Sequence, residues 1–123
     1  IKRCEVLIMT YEEMTRKIRT AGTWFTGVFM GEILKRYPEF HDDSVLKTEF
    51  IRYMHNEYGK ALDYTFDSTK SKCYAIMAII REHRVIDALD YILQSNEKKV
   101  PEDARESADN LLNKIISGDI LLP

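Results

Sequence analysis

Between Thr20 and Tyr37 the chain reads TAGTWFTGVFMGEILKRY, and this stretch limits the fold more than any other. On a helical wheel advancing about 100° per residue, Trp24, Phe25, Val28, Phe29, Met30, Ile33, Leu34 and Tyr37 spread over most of the circumference. The remaining sector holds Thr23, Gly27 and Gly31, one turn apart. Charge enters only toward the end, at Glu32, Lys35 and Arg36. A helix that is apolar nearly all round has to be covered nearly all round. The run is too short to span a bilayer, which takes about 20 apolar residues. It is therefore read as a central buried helix over about 23–36, stopped by Pro38, with the other helices laid around it.

The stripe Thr23-x-x-x-Gly27-x-x-x-Gly31 asks for a reason, because a mid-helix glycine costs about 1 kcal/mol relative to alanine. One reason is close packing, with a neighbouring helix backbone approaching inside the domain. The other is a partner helix or a ligand on the bare backbone. Under the first reading a leucine at Gly31 overpacks the interior, whereas Lys35, at the polar end, tolerates one.

The rest of the chain is helical in pattern. Thr10 and Glu13 have capping-box spacing, and Met9 and Met14 stand where a hydrophobic staple would close. These place a first helix at about 11–20, ended by Ala21-Gly22, with Arg16, Lys17 and Arg19 on its outer side. Asp43 or Ser44 caps a third helix over about 45–58, with Gly59 as its C′ residue. On that wheel His55 falls opposite the apolar side and is expected to face solvent. Lys60 to Phe66 is ambiguous, and Asp67-Ser68-Thr69 offers the next N-cap. From Lys70 to Asn96 there is neither glycine nor proline. Yet Cys73, Ile76, Met77 and Ile80 define one face, and Val85, Ile86, Leu89, Ile92 and Leu93 define another on the opposite side. The phase jump favours a turn near His83-Arg84, the missing breakers favour one long helix that changes its buried side midway, and the long helix is the preferred reading. Pro101 opens a last helix at about 101–117, with Ala104, Ala108, Leu111, Leu112 and Ile115 inward and Gly118 as its end. The apolar tail Asp119–Pro123 has to dock somewhere, and pairing with Val6–Met9 as two short strands is one solution. The expected fold is all-α, a compact bundle of five to six helices forming one domain over 1–123. Because the chain starts at Ile1, it is read either as processed or as a domain of something longer.

Composition narrows function mainly by exclusion. Net charge is −2 and the pI about 5.9, so a globally basic nucleic-acid binder is not indicated. Two cysteines, Cys4 and Cys73, stand far apart with no CxxC. That argues against a disulfide scaffold or structural zinc and for a reducing, cytoplasmic setting. No signal peptide or membrane span is legible. His41, Asp42, Asp43, His55, Glu57 and His83 show no metal-ligand spacing. Cys73 lies on an apolar helix face, where a cysteine acts as a small hydrophobe. GxSxG, P-loop and GxGxxG patterns are absent. No cofactor is expected.

Two functional readings follow. The first is a non-catalytic helical interaction or regulatory domain that binds a protein partner or a second copy of itself. Its expected surface includes Ile86, Leu89 and Leu93, because opposite faces of one long helix need an extra covering layer. The second is a nucleic-acid-binding helical domain, in which Arg16, Lys17, Arg19 and Thr23 hold phosphate at the start of the core helix. An enzyme with a site built from dispersed carboxylates and histidines is a weaker third.

Overall fold

Thr10 caps the first helix. In the computed structural model, which describes residues 9–95 and 100–123, its hydroxyl accepts from the Glu13 N–H at 3.1 Å. The Glu13 carboxylate accepts from the Thr10 N–H at 2.8 Å, which closes the capping box. The Thr10 backbone N–H first, and the Thr10 hydroxyl second, hold the Glu13 carboxyl below its ordinary value. The helix they open, α1, spans Tyr11–Ala21 and buries Met14, Ile18 and Ala21, residues three and four apart. Gly22 ends it with φ +89°, a conformation few side chains accept, and α2 begins at the next residue.

Helix α2 runs Thr23–Phe40 and passes through Pro38 instead of stopping before it. The proline removes the bond that its own N–H would have made. The last turn nevertheless closes through the His41 N–H, which donates to the Tyr37 carbonyl at 3.0 Å. Burial of Phe40, stacked on Phe50 at 4.6 Å between ring centroids, holds that turn in place.

Asp43 caps α3 (Ser44–Met54), its carboxylate accepting from the Val45 and Leu46 N–H groups. The helix then widens into a π-turn over His55–Gly59. The chain turns through Asp63, and Thr65 caps α4 (Phe66–Arg81), two residues ahead of the Asp67-Ser68-Thr69 expectation. The Thr65 hydroxyl accepts from the Ser68 N–H at 3.0 Å.

The stretch from Lys70 onward is two helices, not the one long helix expected. The first ends at Arg81, and α5 spans Val85–Gln94. His83 sits at φ +61°, an unfavourable value for a residue with a side chain. That strain, about 1–3 kcal/mol, costs less than exposing one of two apolar faces. The turn lets Cys73, Ile76 and Ile80 and also Val85, Leu89 and Ile92 be buried. Arg84 fastens it, its Nε donating to the Met9 carbonyl at 3.0 Å.

Six successive residues of α4, Ala75–Ile80, are buried. Helix α2 packs against each of the other helices, and α4 packs against α1, α2, α3 and α5. The interior is thus divided between α2 and α4. Trp24 and Val28 of α2 stay half-buried. No strand occurs among the described residues. Of the expected terminal pairing, Val6–Ile8 lie outside the described residues. Asp119–Pro123 form no strand, because the tail folds back on its own helix.

That last helix, α6 (Glu102–Ile116), lies along α2 and buries Ala104, Ala108 and Leu111. The Trp24 indole N–H donates to the Asp103 carboxylate at 3.0–3.1 Å at one end of the pair. A Cβ placed on Gly27 would stand 2.7 Å from the Ala104 carbonyl oxygen. One on Gly31 would meet only the Leu111 methyls, at 3.8 Å. The tightest point on the stripe is therefore Gly27. Alanine there should lower stability by about 1–3 kcal/mol, because backbone has to move. Gly31→Ala should gain up to about 1 kcal/mol from helix propensity. Urea unfolding of the two variants checks this, and equal midpoints would contradict the close approach.

Candidate interaction surface

The apolar tail carries the most exposed hydrophobic surface among the described residues. Near the end of α6, Ile115 packs on the core while Ile116 is 72% exposed. Gly118, at φ +87°, then reverses the chain. The reversal brings the Ile120 N–H to the Lys114 carbonyl at 3.1 Å. Ile120 is held half-buried against the core, in the seam between α2 and α6. Leu121 beyond it is 83% exposed, and Leu122 is exposed as well.

Open grooves flank Ile120. One, of about 290 Å³, runs past Gly31, Glu32 and Leu111. The other, of about 540 Å³, is walled by Leu34, Pro38, Ile120 and Leu121. Lys35 and Lys114 border both grooves. Asp119 lies on the rim of the second, and Glu32 on that of the first. An apolar floor with cations at its edges suits burial of another apolar surface that carries acidic flanks. The docking of this tail was foreseeable from its composition, but Leu34 and Pro38 were not. Pro38 walls the groove because α2 continues through it, and Leu34, 3% exposed, lies at the floor.

The other residues singled out in the sequence lie elsewhere. Ile86 is 45% exposed on α5, Leu93 is half-buried against the core, and Leu89 is fully buried. With a turn at residues 82–84, the opposite-face motive for a partner at these positions is gone. Arg16, Lys17 and Arg19 are exposed on α1, where Arg16 lies 3.9 Å from Glu12. Thr23 is half-buried in the first turn of α2. The cation at the α1–α2 junction is Lys72. Its ammonium donates to the Ala21 carbonyl at 3.1 Å and sits 5.0 Å from the Tyr64 ring centroid. Cation and ring together pin α4 to the end of α1.

Among the described residues no three His, Cys, Asp or Glu side chains gather as a metal site. No helix among them is long and apolar enough to cross a membrane. His41 stacks on Tyr37 at 5.2 Å. His55 is half-buried and bonded to Thr69, not turned to solvent, because the buried face of α3 centres on Phe50, Ile51 and Met54 and His55, still held by a helical bond to Ile51, lies at its edge. Cys73 is fully buried, and burial pushes its thiol up to about 12.

A thiol so held should be inert. In a Cys4→Ser background, Cys73 should resist a disulfide reagent at pH 8 while the protein is folded and react at once in denaturant. The same shift carries a pH dependence. The folded value lies above the ordinary 9.0, so the contribution to stability is complete below pH 9 and is lost as pH rises toward 12. Burial also raises the Tyr37, Tyr58 and Tyr64 hydroxyls, which reinforces the alkaline loss. Rapid labelling of folded protein, or a stability curve flat from pH 8 to 11, would contradict the buried thiol. Comparison of the chain with protein-family models, with curated proteins and with solved structures gave no match.

Proposed function

We propose that this chain is a non-catalytic helical interaction domain and that the seam between α2 and α6, with the tail folded into it, is its docking surface. The observation that carries this reading is that Leu121, 83% exposed, lines one open groove together with Ile120, Leu34 and Pro38. Single exposed hydrophobics are ordinary, but contiguous ones mark interaction surfaces. The occupant that fits is an apolar protein segment, such as an amphipathic helix, with acidic residues beside its stripe to meet Lys35 and Lys114. A second copy of the chain is the competing occupant. The reducing, cytoplasmic setting inferred from cysteine usage belongs to the same proposal.

A fluorescent amphipathic Leu/Glu helix should bind the protein saturably. The double variant Ile116→Asp/Leu121→Asp should bind it at least tenfold more weakly. Its own stability should stay within about 0.5 kcal/mol, because both positions are exposed. Light scattering at high concentration reads the second occupant directly: a dimer abolished by the double variant puts a second copy in the groove. A protein that stays monomeric and ignores the peptide would overturn the reading.

A further inference from the structure

The π-turn after α3 gathers a second set of side chains that the docking surface does not use. A π-turn inserts a residue into a helix at a cost, and such turns recur at functional sites. Here the Lys60 N–H reaches five residues back to the His55 carbonyl at 2.9 Å. The widened turn lets the His55 ring lie over Gly59, where a Cβ would come within 2.5 Å of both His55 Nδ1 and Thr69 Oγ1. His55 Nδ1 lies 2.9 Å from the Thr69 hydroxyl, which is itself buried. That hydroxyl has one proton to give, and the Thr65 carbonyl 3.3 Å away can only accept. Both contacts are satisfied when Thr69 donates to Thr65 and Nδ1–H donates to Thr69. The neutral imidazole then presents Nε2 as an acceptor, and Nε2 makes no hydrogen bond among the described residues.

Three more side chains share the open groove of about 390 Å³ that His55 lines: Arg52, Asn56 and Phe66. Phe66 stands edge-on to the imidazole, 5.5 Å between centroids at 89°, and is 37% exposed. Arg52 and Asn56 are exposed on α3 and the π-turn. Arg52 makes no ion pair among the described residues. The inventory is a guanidinium, a carboxamide able both to donate and to accept, a fixed imidazole acceptor and an aromatic ring. A guanidinium matches a phosphate. A phenyl ring stacks on a base, and a carboxamide reads a base edge. A held imidazole nitrogen accepts from an exocyclic amine or a ribose hydroxyl. The geometry points to a binding site for a nucleoside monophosphate, with Arg52 on the phosphate, Phe66 and Asn56 on the base, and His55 oriented by Thr69 as the acceptor.

Titration of the full chain with AMP, GMP, CMP and UMP, followed by NMR at the His55 ring, tests this. Saturable shifts are expected for at least one purine monophosphate, weakened fivefold or more by Phe66→Leu. Arg52→Gln should weaken the monophosphate by a similar factor and leave the affinity for the free nucleoside unchanged, a split that a general loss of structure would not give. Thr69→Val, which frees the ring, should weaken both. Absence of saturation at several millimolar for all four nucleotides would overturn the site. So would titrations identical in the wild type and Phe66→Leu. Binding of a short single-stranded oligonucleotide with no binding of mononucleotides would overturn it in favour of a nucleic-acid surface.

Discussion

The contact between Gly27 and Ala104 fixes the position of the last helix, and through it the surface assigned to docking. The two backbones come so near that a single added carbon would touch the Ala104 carbonyl oxygen at 2.7 Å. Helices meeting over small residues approach closely and leave little freedom in their relative placement. Asp103, one residue before that contact, receives the Trp24 indole N–H. Leu111, two turns on, lies against the open side of Gly31. Farther along this line Ile120 lies against the seam between the two helices. Packing along the pair is thus tightest at Gly27 and looser at Gly31, beside which the groove runs.

The opposite side of α2 is held differently. Phe29 meets Tyr58 at 4.8 Å, and Phe40 meets Phe50 at 4.6 Å. The Arg36 guanidinium stands 5.2 Å above both the Phe50 and the Tyr53 rings. These contacts bind α3 and the π-turn to α2 through broad, offset ring surfaces, each adding about 0.5–1.5 kcal/mol beyond burial. Ring contacts tolerate the wider π-turn. A backbone contact like that at Gly27 would not. One face of α2 is consequently rigid and leads to the groove proposed for docking, and the other accommodates the π-turn beside which His55 lies.

Local rules read much of this fold from the sequence. Thr10 with Glu13, Asp43, and the acidic first turn after Pro101 each marked a helix start that the structure places within a residue. Cys73 was legible as a buried hydrophobe from its helix face. What escaped depended on tertiary balance. Pro38 ends a helix by local rule, but the burial of Phe40 carries α2 past it. The stretch after Lys70 lacks any breaker residue, and only competition between two apolar faces forces His83 to positive φ. The π-turn has no composition signal beyond Gly59. The misplacement of His55 has another cause: the buried face of α3 centres on Phe50, Ile51 and Met54, which puts His55 at its edge and not opposite it. The docking groove was half legible: an apolar tail has to find cover, but which residues provide it follows from where α2 stops.

The central claim is that the α2–α6 seam, and not α5, receives an apolar partner. Methyl NMR during titration with an acidic amphipathic helix separates the two most directly. The account predicts shifts concentrated at Leu34, Ile116, Ile120 and Leu121, with Ile86 and Leu93 unmoved. Shifts centred on Ile86 and Leu93, or spread evenly over the molecule, would contradict it.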